Sequence, residues 1–230
     1  MLKMNARLAM RWIAKPLLFL LCLLPVGWLL AGLAGWPAAE LGANPIEKIQ
    51  DTLGIWGLRF LLTTLAVTPL RELLGWPRLL GFRRMLGLYA FFYVSMHFLF
   101  YLLVDQSLDW RLLLEDIAKR PFITVGFSAL LLLIPLAVTS TKRAMRRLGR
   151  RWQRLHRLVY PAAILACTHF YWQVKADIRE PLVYVLVLAV LLGWRLYRYW
   201  QRARRGRAEQ DARQYQQATG AGLPVEPLPE

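Results

Sequence analysis

Three histidines carry most of the chemistry available to this sequence: His97, His156 and His169. His97 sits in YVSMHFLFY and His169 in LACTHFYW, both inside long apolar stretches. A polar ring in hydrocarbon is costly, so an intramembrane histidine marks a functional position by default. The structural alternative, a hydrogen bond to a neighbouring helix, is worth only about 1 kcal/mol. No acid falls well inside an apolar stretch, so proton-relay carboxylates are missing. The two cysteines, Cys22 and Cys167, are too few for a four-cysteine zinc site or a disulfide scaffold. Neutral imidazoles ligating a redox cofactor fit what remains, and haem is the simplest such cofactor.

Six stretches have the roughly 20 apolar residues needed to cross a hydrocarbon core. They cover about 16–36, 54–70, 85–104, 121–139, 154–172 and 181–200. The first follows Lys3, Arg7, Arg11 and Lys15 as a signal peptide would. Its apolar core is too long for one, and Trp28 and Trp36 suit an interfacial anchor, so it reads as a retained helix. The expected architecture is an all-α polytopic membrane bundle of six transmembrane helices. Residues 1–15 form an N-terminal segment, 16–200 the bundle, and 201–230 a solvated tail expected to be disordered beyond the last helical turn. No internal repeat at a fixed period is evident.

The net charge of +16 at first suggests nucleic acid, but its distribution follows the spans. Of the 30 Lys and Arg, 23 fall on the side of the N-terminus, the second and fourth loops and the C-terminal segment. Only seven fall on the opposite side, together with nine of the 14 acids. Positive residues mark the cytoplasmic face, which places both termini in the cytoplasm and leaves no nucleic-acid partner to invoke.

With that orientation, His97 lies roughly 18 Å and His169 roughly 22 Å from the cytoplasmic ends of their helices, at 1.5 Å per residue. Two rings on separate helices at one depth can clamp a haem iron from both faces. His156 lies thirteen residues before His169, about 20 Å along the helix axis, a separation that suits one site per leaflet. An ideal helix leaves these two rings about 140° apart in azimuth, and the intervening Pro161 offers a kink that changes the angle. The matching positions before His97 are Arg84 and Arg83. His156 therefore reads either as an interfacial histidine or as a ligand with no evident partner.

The segments RRMLGLYAFFYVSMHFLFY from Arg83 and TSTKRAMRRLGRRWQRLHRLVYPAAILACTHFYWQVK from Thr139 recur in a known order. Together with GANPIEKIQDTLGIWGLRFLLTTLAVTPL from Gly42, they resemble the ferric-reductase-like transmembrane family of haem b proteins. Within it the resemblance is to the branch that serves methionine sulfoxide reductase systems, and it covers about residues 40–200. It implies an inner-membrane electron conduit from membrane quinones through haem b, one or two per chain. The acceptor would be a periplasmic molybdenum-cofactor reductase subunit that repairs oxidised methionine.

Relatives are also described as binding FMN, yet no glycine-rich nucleotide fingerprint is present. An FMN phosphate would have to meet cytoplasmic arginines such as Arg83, Arg84, Arg146 and Arg147, which otherwise serve topology alone. His156 would then ligate a second haem or help bind quinone or flavin. Arg59 would pair with a haem propionate or snorkel to the headgroups. Asp105, Asp109, Glu115 and Asp116, beside Arg111, Lys119 and Arg120, form either a docking surface or ordinary solvated charge. Two alternatives stay open: a stand-alone haem b membrane reductase of ferric or quinone type, and a non-redox transporter or assembly factor. The chain itself reads as an electron-transfer subunit rather than the catalytic one.

Overall fold

A computed structural model describes residues 8, 10–174 and 177–220, and every regular element among them is helical. Lys3, Arg7, Lys175 and the last ten residues lie outside the described set. In chain order the helices are α1 (Lys15–Leu33), α2 (Pro45–Leu74), α3 (Leu80–Phe100), α4 (Trp110–Lys119) and α5 (Pro121–Val138). They continue as α6 (Lys142–Leu148), α7 (Arg150–Leu155), α8 (Val159–Gln173) and α9 (Arg179–Gly220). The chain divides into two compact units, Met1–Leu188 and Ala189–Glu230. The second is the continuation of α9, so the segment expected as a tail from residue 201 is helical as far as Gly220.

Five helical stretches are long and apolar enough to span a bilayer: Trp12–Leu33, Pro45–Leu74, Pro77–Asp105, Pro121–Val138 and Arg179–Gln210. Apolar side chains exposed along them, such as Leu17, Leu20, Leu24, Leu131 and Val138, give the protein a surface suited to lipid rather than water. It is a multi-pass membrane protein.

The stretch expected as span 154–172 differs from the others. Helix α7 ends at Leu155, a tighter turn covers His156–Leu158, and α8 has only 15 residues. Pro161 explains the break. It lacks an N–H and its ring clashes with the carbonyl four residues back, so an unbroken helix through Arg157 is disfavoured. As the third residue of α8, where the N–H would have no helical partner, the proline is tolerated.

Helix α2 begins nine residues earlier than the apolar pattern predicts. Asn44 caps it by accepting from the Glu47 N–H at 3.4 Å, while its own amide donates to Glu47 Oε2 at 2.9 Å. Pro45 occupies the first helical position, where its fixed φ helps and its missing N–H costs nothing. These reciprocal bonds make the polar run Glu47–Asp51 helical. At the other end Gly75, at φ +61°, turns its N–H back to the Arg71 carbonyl and stops the helix.

Within the first unit, α2 packs on α3, α3 on α5, α5 on α8, and α8 back on α2. The four helices thus close a ring. Helix α2 is more enclosed than α3 and α5, with 56% of its most apolar window buried against 22% for each of theirs. Helix α1 lies against α2 and α3 and is fastened through its own proline. Pro25 removes one N–H from its ladder, and the Tyr93 hydroxyl of α3 meets the backbone beside it. That hydroxyl accepts from the Val26 N–H at 3.3 Å and donates to the Cys22 carbonyl at 2.8 Å. One phenol thereby ties α3 to two backbone groups of α1 that lie four residues apart. The rest of the joint is aromatic: Tyr89 bonds the Phe19 carbonyl at 3.0 Å, and their rings meet edge to face.

Replacing Tyr93 by Phe keeps the ring but removes both of these bonds. The expected result is a loss of about 1 kcal/mol in unfolding in detergent, with α1 becoming the most protease-sensitive helix. Unchanged stability and an unchanged cleavage pattern would show that the hydroxyl does not hold α1.

Candidate functional site

The ring of α2, α3, α5 and α8 encloses a cavity of about 390 Å³, within the size range of cofactor pockets. His97 enters it from α3 and His169 from α8. Their ring centroids are 6.2 Å apart and their planes cross at 77°. An imidazole nitrogen sits about 2 Å from a first-row metal, and a five-membered ring's centre about 1.2 Å from its atoms, so two rings in line across one ion have centroids about 6.4 Å apart. The observed spacing therefore admits one metal ion between them.

The outer nitrogens are fixed. His97 Nδ1 lies 2.9 Å from the Gln50 carbonyl of α2, and His169 Nδ1 lies 2.7 Å from the Phe122 carbonyl of α5. A carbonyl only accepts, so Nδ1 carries the proton in both rings and Nε2 presents its lone pair. That is the tautomer a ligating histidine needs, and such a bond also raises its basicity. The Gln50 side chain reaches the same place. Its amide nitrogen lies 3.5 Å from His97 Nε2, and its Oε1 is buried with no hydrogen-bond partner. A group bound at Nε2 would displace this amide.

The walls suit a large planar apolar group with one polar edge. Leu58, Leu61, Leu130, Leu133, Phe98 and Phe170 line the interior. Polar residues gather at one end: Asp51, Tyr101, Asp105 and Arg120. Arg120 pairs with Asp116 at 3.2 Å, and Asp116 accepts from Tyr101 at 2.7 Å and from Gln106 at 2.9 Å. The donor set, spacing and walls together fit a haem held by His97 and His169.

A relation that the apolar pattern alone does not reveal links the two halves. Gln50, Gly54 and His97 recur as Phe122, Gly126 and His169, each displaced by 72 residues. Each histidine bonds a carbonyl 47 residues earlier. The same displacement pairs wall residues Leu58 with Leu130, Leu61 with Leu133 and Phe98 with Phe170. At the first pair, where Gln faces Phe, only the backbone geometry is shared, whereas the other five pairs are identical in residue type.

A second cavity, of about 520 Å³, is lined by Arg83, Arg84, His156 and Arg157 with Trp152 and Tyr160. The 72-residue displacement carries Arg84 onto His156, so guanidinium and imidazole hold corresponding places. His156 stacks on Trp152 with centroids 3.9 Å apart, and its Nε2 lies 3.0 Å from Thr139 Oγ1. Thr139 donates its only hydroxyl proton to the Pro135 carbonyl at 2.6 Å, so His156 Nε2 is the donor in that contact. In this arrangement Nε2 is engaged by Thr139.

The remaining expected residues fall elsewhere. Arg59 is in neither cavity wall: it donates to the Tyr184 hydroxyl at 2.8 Å, lies 3.7 Å from Glu180 and covers the Trp56 ring at 5.0 Å. The cation at the polar end of the histidine cavity is Arg120 instead. Arg146 and Arg147 lie on α6 outside the second cavity wall. Sequence reasoning missed Gln50, Gly54, Phe122 and Gly126, because two act through backbone carbonyls and two through the lack of a side chain. The Asn-Pro-x-Glu cap at residue 44 was the available signal that α2 extends far enough to carry Gln50 to His97.

Residues 53–167 match the family model described as ferric reductase like transmembrane component. A relative from Xanthomonas euvesicatoria pv. vesicatoria is 53% identical over 188 residues, covering 80% of this chain and 86% of its own length. One from Xanthomonas campestris pv. campestris is 56% identical over 174 residues, 75% of this chain and 78% of its own. One from Rhodospirillum rubrum is 54% identical over 191 residues, 83% of this chain and 90% of its own. All three carry the name protein-methionine-sulfoxide reductase heme-binding subunit MsrQ. No solved structure matches the chain. With identities above one half over most of both chains, and the ferric-reductase-like model across the helices that frame the histidine cavity, the chain belongs to the MsrQ family.

Proposed function

We propose that this protein is the membrane electron-transfer subunit of a methionine sulfoxide reductase system. In this reading His97 and His169 bind one haem b, and electrons pass from membrane quinones to a periplasmic molybdenum-cofactor partner of the MsrP type. The observation that carries it is the pair of imidazoles with centroids 6.2 Å apart, each with its outer nitrogen tied to a neighbouring helix. The haem would supply a one-electron iron couple that neither histidine possesses. The chain's own part is to ligate, to exclude water with the Leu and Phe walls, and to orient the rings. Non-covalent b-type attachment agrees with the cysteines, since Cys22 and Cys167 are 145 positions apart and form no Cys-x-x-Cys-His motif.

The topology proposed with it has six crossings in the inner membrane and both termini in the cytoplasm. Helices α7 and α8 with their connecting turn form the fifth crossing, 24 residues or about 36 Å long. This orientation puts the polar end of the histidine cavity, with Tyr101 and Arg120, on the periplasmic side where the partner would collect electrons. The second cavity then opens toward the cytoplasm. Its three arginines suit an anionic planar cofactor, and FMN with its phosphate on Arg83 and Arg84 is the occupant assigned to it. The contact of His156 Nε2 with Thr139 at 3.0 Å favours a hydrogen-bonding role there over ligation of a second iron.

Haem quantified per purified chain tests the ligand assignment. His97→Ala and His169→Ala should each lose most of the haem, while His156→Ala retains the haem held by the other two. Full occupancy in either of the first two would overturn the assignment. The partner is tested separately by purification from gently solubilised membranes. A molybdenum protein should co-purify, and deletion of this chain should abolish repair of methionine sulfoxide in periplasmic proteins. Repair at the parental rate without the chain would point to the stand-alone reductase instead.

A further inference from the structure

The histidines do not orient themselves. In an α-helix the side chain of residue i+4 covers the turn that contains the carbonyl of residue i. Four residues after Gln50 stands Gly54, and four residues after Phe122 stands Gly126. A Cβ built on Gly54 would lie 3.0 Å from both Cε1 and Nδ1 of His97. One built on Gly126 would lie 2.7, 2.8 and 2.9 Å from Nδ1, Cε1 and Cγ of His169, directly against the ring. At both places the glycine leaves open the one carbonyl that its own helix turn would otherwise shield.

We propose that Gly54 and Gly126 are the positioning residues of the haem site: each uncovers the backbone carbonyl that sets the tautomer and plane of one ligating imidazole. The inference rests on His97 and His169 being the ligands. The two glycines belong to the 72-residue relation, so the site consists of two equivalent half-sites, each made of an acceptor carbonyl, a glycine and a histidine. Because each ring is locked to its own helix pair, the 77° angle between the planes is a property of the protein. Crossed imidazole planes donate about equally into the two iron dπ orbitals, leave them nearly degenerate and give ferric low-spin haem a large-gmax electron paramagnetic resonance signal. Near-parallel planes separate these orbitals and give a rhombic signal.

The test compares Gly54→Ala, Gly126→Ala and Gly57→Ala in the full-length chain, each taken as the monodisperse fraction after solubilisation. Gly57 is the structural control, because its Cβ would strike Val94 Cγ2 at 2.7 Å in the same helix pair without touching a histidine. The parent should show the large-gmax signal. Gly126→Ala should weaken haem retention about 10–100-fold, as loss of an outer-shell partner does, and the haem that stays should show a changed signal and a shifted midpoint potential. Gly54→Ala should move the same quantities in the same direction by less, and it decides the matter should Gly126→Ala fail to fold. Gly57→Ala should lower stability and leave the signal and potential of its bound haem as in the parent. A Gly126→Ala or Gly54→Ala protein with parental haem content, signal and potential overturns the proposal, as does a Gly57→Ala protein that shifts them equally. Should the histidine variants keep their haem, the ligand reading fails. Should they lose it while the glycine variants stay parental, only the present inference fails.

Discussion

A neutral imidazole inside a bilayer has two nitrogens to satisfy, and the site depends on how the outer one is satisfied. Water is excluded there, so an unpaired N–H costs several kcal/mol. Neighbouring side chains contribute no acceptor to Nδ1 at either histidine. The available acceptors are backbone carbonyls, which already accept one helical N–H but have a second lone pair. Reaching that lone pair requires two helices in close contact and a gap in the side-chain sheath. Gln50 with Gly54, and Phe122 with Gly126, provide both conditions. The tight pairing of α2 with α3 and of α5 with α8 follows from this need, since a ring cannot bond a neighbouring carbonyl across a layer of leucine.

Much of the framework could be read from the sequence because hydrocarbon imposes a simple rule on composition. The apolar runs mark the membrane helices, and the histidines stand out because polar rings are rare in such runs. Features governed by local backbone chemistry were harder to read. The first turns of α2 carry Glu47, Lys48, Gln50 and Asp51, so hydropathy ended the helix at residue 54, while the Asn44 cap extends it to Pro45. Pro161 was visible as a source of irregularity, but its effect, a tight turn at His156 rather than a bend deeper in the helix, required the backbone. Arg59 had the charge and depth of a propionate partner, yet its half-exposed guanidinium meets the acid and aromatic ring beside it, Glu180 and Trp56. The 72-residue relation was hidden for a related reason. Its identical pairs, such as Gly54 with Gly126 and His97 with His169, are scattered along helices whose other positions differ, and the carbonyls of Gln50 and Phe122 leave no mark on residue type.

That relation also sharpens the contrast between the two cavities. A duplicated helix pair offers two matched positions at each level of the ring. At one level both are histidines, His97 and His169, whose rings could ligate a metal ion without adding charge. At the other, Arg84 and His156 occupy the matched positions, and Arg83 and Arg157 stand beside them. A guanidinium does not deprotonate in a protein and has no lone pair to give a metal, so this level cannot repeat the bis-imidazole arrangement. Fixed positive charge at the membrane boundary is stable only where it meets water, headgroups or an anionic ligand. One scaffold thus carries an end with two histidines and an end rich in arginine. The exchange of one imidazole for one guanidinium is sufficient to set the two ends of the ring apart.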